Sequence, residues 1–424
     1  MDFINGIIHC SSKVITYMVY FISMYYLIIS FFGIYRKKDN ENFEDKTKFA
    51  LVVAAHNEER VIANIVKNLK NINYDSSLYD IFVIADNCTD KTAEIAKKEG
   101  ALVYERFNKD KRGKGYALEW MFSKLFKMRT KYNAVTVFDA DNLVHKNFLK
   151  EMNKKMCKGY KVVQGYLDSK NPEDTWITGS YSIAFWSCNR MFQLARYNLG
   201  LSSQLGGTGF CIDMDILKKL GWGATCLTED LEFSCKLVLN GYKVGWAHNA
   251  IIYDEKPLTL AQSWNQRKRW MQGFADVASR YFFKLMKRAI TKLDFTAFDC
   301  ALYSIQPIAA ILLGVSAIVS FVQYIMKAAN IINNINGVVY SINFNWVTLL
   351  IAAFSLFQMI YIPLILLIEK KLNLKVLLYY IVYPLYAITW FPISIQGIIH
   401  KDSKEWNHTV HTRDINIEEL EKVN

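Results

Sequence analysis

The run Gln266-Arg267-Lys268-Arg269-Trp270 combines side chains that could recognise a sugar and a phosphate. If the run is helical, Gln266, Arg269 and Trp270 lie on one face, because they are spaced i, i+3 and i+4. A guanidinium can bind phosphate oxygens through a bidentate fork, an amide can bind hydroxyls, and an indole offers a flat apolar surface to a pyranose ring. The spacing therefore predicts a helical face that holds a sugar acceptor and a diphosphate.

Two acidic motifs precede this run. Asp139 and Asp141 stand two residues apart after an apolar stretch, where either carboxylate could meet a divalent cation that bridges phosphate oxygens. Glu229 and Asp230 precede a helical pattern, and Asp230 could take the proton from an acceptor hydroxyl that attacks an activated sugar. The alternatives are a solvated turn for the first motif and helix capping for the second.

Two glycine-containing segments could lie against the substrates. In Arg112-Gly113-Lys114-Gly115 the glycines allow the backbone to approach an anion, although the segment lacks the frame of a Walker A motif. Lys114, Arg269 and a metal ion would supply the positive charge that a departing diphosphate needs. Gly207 and Thr208 belong to a glycine-rich segment that could admit an acceptor sugar or could be a tight turn.

The elements that must position these residues follow an α/β pattern. Between about residues 48 and 246, short β-branched runs alternate with amphipathic stretches. Predicted strands cover 48–55, 81–85, 102–104 and 134–138, and predicted helices cover 58–69, 92–99 and 231–239. Ligands of open α/β sheets bind outside the carboxyl ends of the strands. Because Asn57, Glu58, Asp86, Asp139 and Asp141 occupy such positions, we expect them to line one site.

Four apolar runs, at about 14–34, 297–326, 346–368 and 376–399, are long enough to cross a bilayer. Arg36-Lys37-Lys38 after the first run predicts that this side is cytosolic. The basic, aromatic segment 263–290 predicts helices on the membrane surface. Pro384 and Pro392 predict a broken last segment, which would leave the tail in the cytosol.

These patterns divide the chain into five parts. We expect an N-terminal transmembrane helix in 1–38, a cytosolic catalytic domain in 39–258, interface helices in 259–295, a transmembrane region in 296–400 and a cytosolic tail in 401–424. A hydrophobic content of 52% fits such a mixture. The basic residues behind the net charge of +12 are dispersed or flank apolar segments, so we expect a lipid bilayer as partner and no nucleic acid. Eight scattered cysteines favour reduced thiols in the cytosol.

Taken in order, these motifs resemble those of the membrane-embedded family 2 glycosyltransferases, such as the cellulose, hyaluronan, chitin-oligosaccharide and poly-N-acetylglucosamine synthases. The resemblance covers nearly the whole chain. It implies a GT-A (Rossmann-like α/β) catalytic domain inserted between transmembrane helices of a multi-pass plasma-membrane protein. It also implies a UDP-sugar donor, Mg2+ or Mn2+, inversion at the anomeric carbon, and a nascent β-linked polysaccharide that leaves through the membrane helices, with accessory secretion or modification subunits as possible partners.

The resemblance further assigns roles to single residues. Asn57, Glu58 and Asp86 would bind the donor, with Asp86 at the uracil and Lys114 at the diphosphate. Asp139 and Asp141 would hold the nucleotide and the metal, Asp230 with Glu229 would provide the base, and Gln266, Arg269 and Trp270 would hold the donor diphosphate and the acceptor. The segment from Trp406 to Arg413 is similar to a gating element that closes over the nucleotide, although it departs from the FxVTxK and WGTR forms.

Three functions remain in competition at this point. The first is a processive synthase that polymerises glucose or N-acetylglucosamine from the UDP-sugar. The second is a glycolipid glycosyltransferase that adds one sugar to a lipid such as diacylglycerol. The third is a transporter with a nucleotide-binding domain, which would require an intramembrane charge or an inverted repeat. The sequence does not distinguish the two sugars.

Overall fold

A computed structural model of the chain describes residues 2–37, 39, 41–223, 226–318, 357, 359–403 and 413–423. Its centre is an eight-stranded mixed sheet in the order β3-β2-β1-β4-β7-β6-β8-β5. The strands are β1 Phe49–Ala55, β2 Tyr79–Asp86, β3 Leu102–Arg106, β4 Ala134–Asp139, β5 Leu143–Val144, β6 Val162–Ser169, β7 Phe210–Asp213 and β8 Val244–Asp254. Strands β1 to β4 are parallel, whereas β7 runs antiparallel to β4 and β6. The strands expected from the sequence are present close to their predicted bounds.

Helices cover both faces of this sheet. They are α2 Ile62–Lys70, α3 Thr92–Lys98, α4 Lys114–Leu125, α5 Phe148–Cys157, α8 Met214–Leu220 and α9 Glu229–Leu239. Leu51 and Val53 of β1 share a core with α2 and α5, whereas Ala50 and Val52 share a core with α4 and α9. Because β1 is buried on both faces, its sequence is a continuous apolar run.

Long helices surround the side of the domain beyond β6 and β8. Helix α6, Trp176–Cys188, continues through a π-helical stretch, Asn189–Leu194, into α7, Ala195–Asn198. Helix α10 spans Leu260–Lys292, and a capping box between Thr259 and Gln262 fixes where it begins. Helix α11, Phe295–Ser304, packs against α10 and α9. The predicted surface helices in 263–290 are therefore one helix of 33 residues.

The apolar runs give fewer complete spans than the sequence predicted. Among the described residues, Leu374–Ile399 is long and apolar enough to cross a membrane, and Phe295–Ser304 with Gln306–Ile318 (α12) forms a second candidate that is bent by 63°. Helix α1, Asp2–Phe31, contributes only the shorter apolar stretch Tyr17–Phe31, and α13 is Met359–Ile368. Residues 319–326 and most of 346–358, which two predicted spans include, lie outside the described residues.

The last apolar segment differs from its prediction. Helices α14, Leu374–Ile388, and α15, Trp390–Ile399, form one helix of 26 residues, so Pro384 and Pro392 do not break it. The tail nevertheless returns to the α/β domain. Helix α16, Ile417–Val423, places Leu420 in a core with Leu143 and Tyr253, and Asn64 Nδ2 donates to Asp414 Oδ1 at 2.6 Å.

A buried ion pair joins the α/β domain to the apolar helices. Arg196 of α7 is 1% exposed and donates from Nε and Nη2 to the two carboxylate oxygens of Asp299 in α11, at 2.8 and 2.9 Å. Tyr25 of α1 donates to Asp299 Oδ1 at 2.7 Å. The sequence reasoning missed this charge, although Asp299 stands inside the predicted span 297–326.

We expect Asp299→Asn to lower the free energy of unfolding by about 3–5 kcal/mol, because it leaves the buried Arg196 guanidinium without its counter-charge. Thermal unfolding of the detergent-solubilised protein measures this. Asp276→Asn is the matched control, since Asp276 forms a partly exposed pair with Arg280, which also pairs with Glu232. The control should cost less than about 1 kcal/mol. Equal losses in the two variants would contradict the importance of the buried pair.

Candidate active site

One ammonium group joins the two acidic motifs. Lys114, the first residue of α4, donates from Nζ to Asp139 Oδ1 and, at 2.8 Å, to the backbone oxygen of Gly207. Gly207 has φ +82°, and a side-chain carbon built there would lie 3.5 Å from Asp230 Oδ2. Asp139 and Asp230 are 91 positions apart in the chain, but both interact electrostatically with Lys114, so the fold brings them to one site, which we call the cleft.

Thr208 stabilises the backbone of this cleft through hydrogen bonds. It is 4% exposed, and its Oγ1 accepts from the backbone N–H of Asp139 at 3.1 Å and donates to Asn142 Oδ1 at 2.5 Å. Asn142 Oδ1 also accepts from the Asp139 N–H at 3.1 Å. The hydroxyl that the sequence placed at the acceptor is thus bonded within the protein, where it fixes the backbone of Asp139.

The acids at the start of α9 are held in an unfavourable environment for charge. Burial raises the pKa of Glu229 to about 7, and the charge of Asp230 adds to this effect. Burial likewise raises the pKa of Asp230 to about 6, although the Leu231 N–H and Lys114 oppose the increase. Asp230 Oδ1 accepts from the Leu231 N–H at 2.8 Å. Asp230 can therefore exchange a proton near neutral pH.

Helix α10 presents Gln266, Arg269 and Trp270 on one face, all partly buried. Gln266 Oε1 accepts from the Tyr181 hydroxyl, and the Trp270 ring lies edge-on to Tyr181 with centroids 5.9 Å apart. Burial lowers the pKa of Arg269, and the negative charges of Glu229, Asp139 and Asp230 oppose that shift. The predicted helical face therefore points into the cleft that contains both acidic motifs.

A glycine sets the distance between this face and the acids. A side chain at Gly273, one turn after Trp270, would collide with Thr228, which directly precedes Glu229. Helix α10 can therefore approach the start of α9 closely. Arg267 lies on an adjacent face of α10, where it is fully buried, stacks on Tyr386 and donates to Thr389 Oγ1 at 2.8 Å.

Asp141 lies deeper in the site than Asp139. It is buried, and its Oδ2 accepts from the Glu255 backbone N–H at 2.9 Å. Asp254, at the end of β8, adds a third acid that the sequence reasoning missed. Its pKa is raised to about 6, first by burial, with further contributions from the charges of Asp141 and Asp139 and an opposing one from Lys256.

The carboxylates of Asp139, Asp141 and Asp254 match the ligands of a divalent cation only in part. Within the described ranges, no cluster of three or more His, Cys, Asp or Glu side chains could hold a metal ion. Mg2+ typically takes one or two protein carboxylates and fills its remaining positions with water and substrate phosphates. Asp139 and Asp141 therefore suit a cation that a diphosphate brings with it.

Three further predicted donor residues lie at the ends of β1 and β2. Asn57, at φ +55°, accepts on Oδ1 from the Thr89 N–H at 2.8 Å. Glu58 is buried, and its backbone N–H donates to Thr92 Oγ1 at 2.8 Å. Asp86 is buried, and its carboxylate accepts from Arg106.

The C-terminal tail contacts the site at the end that contains Asp141. Arg413 donates from its backbone N–H to Glu255 Oε2 at 3.1 Å and from its guanidinium to Asp174. Since Glu255 also supports Asp141, the tail touches the acidic end of the cleft. Trp406 and the rest of 404–412 lie outside the described residues.

The mixed eight-stranded sheet with helices on both faces is a GT-A-like α/β domain. Residues 47–273, more than half of the chain, match the family described as Glycosyltransferase like family 2. The chain belongs to this family.

Several curated proteins are similar to the chain. It is 28% identical to the probable glycosyltransferase YdaM of Bacillus subtilis, over 60% of this chain and 62% of that protein. It is 31% identical to a beta-monoglucosyldiacylglycerol synthase of Nostoc, over 53% and 48%. It is 26% identical to the poly-beta-1,6-N-acetyl-D-glucosamine synthase of Staphylococcus aureus, over 63% and 66%. The chain thus spans less than two thirds of the length of each of these relatives.

A solved structure extends the likeness to most of the chain. The mannosyltransferase PcManGT of Pyrobaculum calidifontis, solved with GDP-Man and Mn2+, superposes with a TM-score of 0.60. The match covers 93% of this chain and 99% of that one at 15% identity. At this identity the likeness establishes the fold.

Because Thr208 fixes the Asp139 backbone, we expect Thr208→Val to lower kcat/KM for the donor by about a hundredfold, the scale of a misplacement of roughly 1 Å. Thr208→Ser retains the hydroxyl and should keep about half of the activity or more. Steady-state kinetics measures both variants, with melting temperatures to exclude unfolding. Unchanged kinetics in a folded Thr208→Val protein would contradict this role.

Proposed function

We propose that the protein transfers glucose or N-acetylglucosamine from a UDP-sugar, with inversion, to the end of a growing β-linked polysaccharide. The observation that carries the proposal is the Lys114 bridge, which sets Asp139 beside Gly207 and Asp230. A candidate for nucleotide binding and a candidate base thereby lie on either side of Gly207 and Lys114. The proposal extends the family's nucleotide-sugar chemistry to a particular donor and product.

Asp230 is the base in this proposal. Its carboxylate removes the proton of the acceptor hydroxyl as that oxygen attacks the anomeric carbon from the side opposite the diphosphate. The new C–O bond forms while the bond to the diphosphate oxygen breaks, so the configuration inverts. Glu229 lies beside Asp230, and burial together with the charge of Asp230 raises its pKa to about 7, so Glu229 is partly protonated near neutral pH.

The leaving diphosphate takes the place of Asp139 as the partner of Lys114. Arg269 has no hydrogen-bond partner among the described residues, so its guanidinium can bind the same diphosphate. Asp139 and Asp141 would hold Mg2+ or Mn2+, which neutralises charge that develops on the phosphate oxygens. Asn57, Glu58 and Asp86 bind the nucleoside, and Trp406 and Arg413 close over it.

The acceptor lies along α10. Gln266 binds its hydroxyls, Trp270 stacks on its terminal ring, and Gly207 allows it to pass beside Asp230. Thr208 acts through the position of Asp139 rather than by contact with the acceptor. These positions give the acceptor hydroxyl access to the base.

The exposure of Cys188 supports a path for a polymeric product. Cys188 of α6 is exposed, whereas its neighbours Trp186 and Asn189 are buried. Tyr303 of α11 interacts electrostatically with both Cys188 and Asp230. We infer that a passage leads from Asp230 past Cys188 between α6 and α11.

A glycolipid product is the second candidate. The chain is 31% identical to a beta-monoglucosyldiacylglycerol synthase over 53% of its length, and α14 exposes an apolar stripe beside the cleft. Leu374, Leu378, Ile381, Leu385 and Ile388 are spaced by three or four residues and are exposed, so they fall on one face of the helix. A lipid acceptor could reach Trp270 from that side.

The contacts of this helix support a position along the bilayer surface. At its start, Asn373 Nδ2 donates to Glu173 Oε1 at 2.7 Å, and just past its end the His400 backbone oxygen accepts from Gln272 Nε2 at 3.0 Å. Both partners belong to the catalytic domain and α10, whereas the ends of a spanning helix would lie on opposite sides of the membrane. We infer that Leu374–Ile399 lies on the membrane face of the domain.

The remaining apolar helices would then cross the plasma membrane. Glu369, at the end of α13, accepts from Arg190 and, at 3.0 Å, from the Tyr166 hydroxyl of the catalytic domain. The segments on either side of Leu374–Ile399 and the docked tail therefore share one side, which we assign to the cytosol. In this arrangement α1, the bent pair α11–α12 and α13 form a multi-pass anchor.

Protonation of Asp230 predicts an acid limb in the pH profile. Because its pKa is raised to about 6, the base is ionised above this pH, and kcat/KM should fall about tenfold per unit below it. Glu229→Gln should leave the limb in place, because the pKa of Glu229, raised to about 7, keeps this residue largely protonated where Asp230 titrates. Asp230→Asn should lower kcat by at least about a thousandfold without unfolding the protein. A flat profile between pH 5 and pH 8 at constant donor saturation would contradict the assignment.

Cys188→Trp should shorten the polymer, because an indole would narrow the passage while leaving the donor site intact. The products formed from radiolabelled UDP-glucose and UDP-N-acetylglucosamine are sized by gel filtration after extraction with organic solvent. Cys188→Ser is the matched control and should give full-length product. An organic-soluble monoglycosyl lipid as the only product would replace the polymer proposal with the glycolipid one.

A further inference from the structure

A buried guanidinium joins the nucleoside end of the cleft to the following loop. Register places Arg106 of β3 opposite Asp86 of β2, and Arg106 Nη1 donates to Asp86 Oδ1 at 2.5 Å. Arg106 Nη2 donates to the backbone oxygen of Lys111 at 2.6 Å, and the residue is 5% exposed. The guanidinium of Arg106 therefore binds both Asp86 and the loop of residues 107–113, which we call the strap.

A second set of hydrogen bonds fixes the first half of the strap. Asn87 adopts φ +52°, and its N–H donates to the Arg106 backbone oxygen at 2.7 Å. Asn87 Oδ1 accepts from the Asn108 N–H, and Asn108 Oδ1 accepts from the Lys111 N–H, both at 2.8 Å. The strap therefore leaves the sheet in a defined direction.

The far end of the strap carries the diphosphate lysine. Gly113, at φ +109°, ends the strap, and α4 begins with Lys114, whose ammonium contacts Asp139 and Gly207. At the near end, Asp86 Oδ2 accepts no hydrogen bond from the described residues, so it can accept one from a base N–H. The strap thus runs from the group that would read the base to the group that would bind the diphosphate.

We propose that Arg106 is a positioning residue that couples recognition of the nucleobase to placement of Lys114. This inference rests on the proposed roles of Asp86 and Lys114. The planar fork of arginine suits two acceptors at once, whereas a lysine ammonium in its place is a single point charge on a flexible stem. Without Arg106, the strap loses its attachment to Asp86, and Lys114 loses its fixed position.

Isothermal titration of uridine and of UDP, without divalent cation, tests the coupling. The ratio of the UDP affinity to the uridine affinity measures how much the contacts between the diphosphate and protein side chains contribute to binding. Arg106→Gln should reduce this ratio by about tenfold, approaching the value for Lys114→Met, which sets the full effect. Lys111→Ala is the matched control and should preserve the ratio, because Arg106 binds the backbone oxygen of Lys111 rather than its side chain.

Equal losses of uridine and UDP affinity in Arg106→Gln would overturn the coupling, because Arg106 would then serve Asp86 alone. An unchanged ratio with unchanged affinities would overturn it as well. If Arg106→Gln does not fold, Arg106→Lys replaces it and should reduce the ratio to a smaller degree. If the parent protein binds GDP instead of UDP, the proposed donor is wrong, and the same ratio measured with guanosine and GDP still decides whether Arg106 acts as proposed.

Discussion

The structure of the cleft depends on the Lys114 ammonium. Burial lowers the pKa of Lys114, but the charges of Asp139, Glu229 and Asp230 outweigh this effect and raise it. The same burial raises the pKa values of Glu229 and Asp230, so the acids and the lysine need one another to remain charged. A diphosphate that enters the cleft can exchange places with Asp139 at this lysine. Under the proposed function, donor binding at Lys114 would therefore change the electrostatic environment of Asp230, the proposed base.

Close contacts between helices bring the Gln266, Arg269 and Trp270 face of α10 near the acids of α9. Gly273 lets α10 approach the start of α9, and Gly179 lets α6 approach α14, where a side chain would collide with Tyr379. Tyr181 of α6 then reaches Gln266 of α10. Helix α14 therefore packs on α6, α6 contacts α10, and α10 packs on the start of α9. Under the proposed function, this packing would place sugar transfer beside the apolar helices.

The sequence was most informative where chemistry follows local spacing. The strand ends that carry Asp86 and Asp139 follow from short apolar runs of strand-forming residues. The shared face of Gln266, Arg269 and Trp270 follows from the helical period of 3.6 residues. Arg106, Asp254 and Asp299 were missed because their partners are distant in the chain or on a neighbouring strand. The prediction that Pro384 and Pro392 break the last segment was wrong for another reason. Packing against α6 and α10 maintains a helix that local propensity would break.

The most direct test of the central claim is a structure of the protein with a UDP-sugar and Mn2+. The account predicts that the diphosphate lies between Lys114 and Asp139, that Arg269 contacts it, and that the anomeric carbon faces Asp230 across Gly207. A nucleotide bound away from Lys114, or an anomeric carbon on the side of the sheet remote from Asp230, would contradict the account.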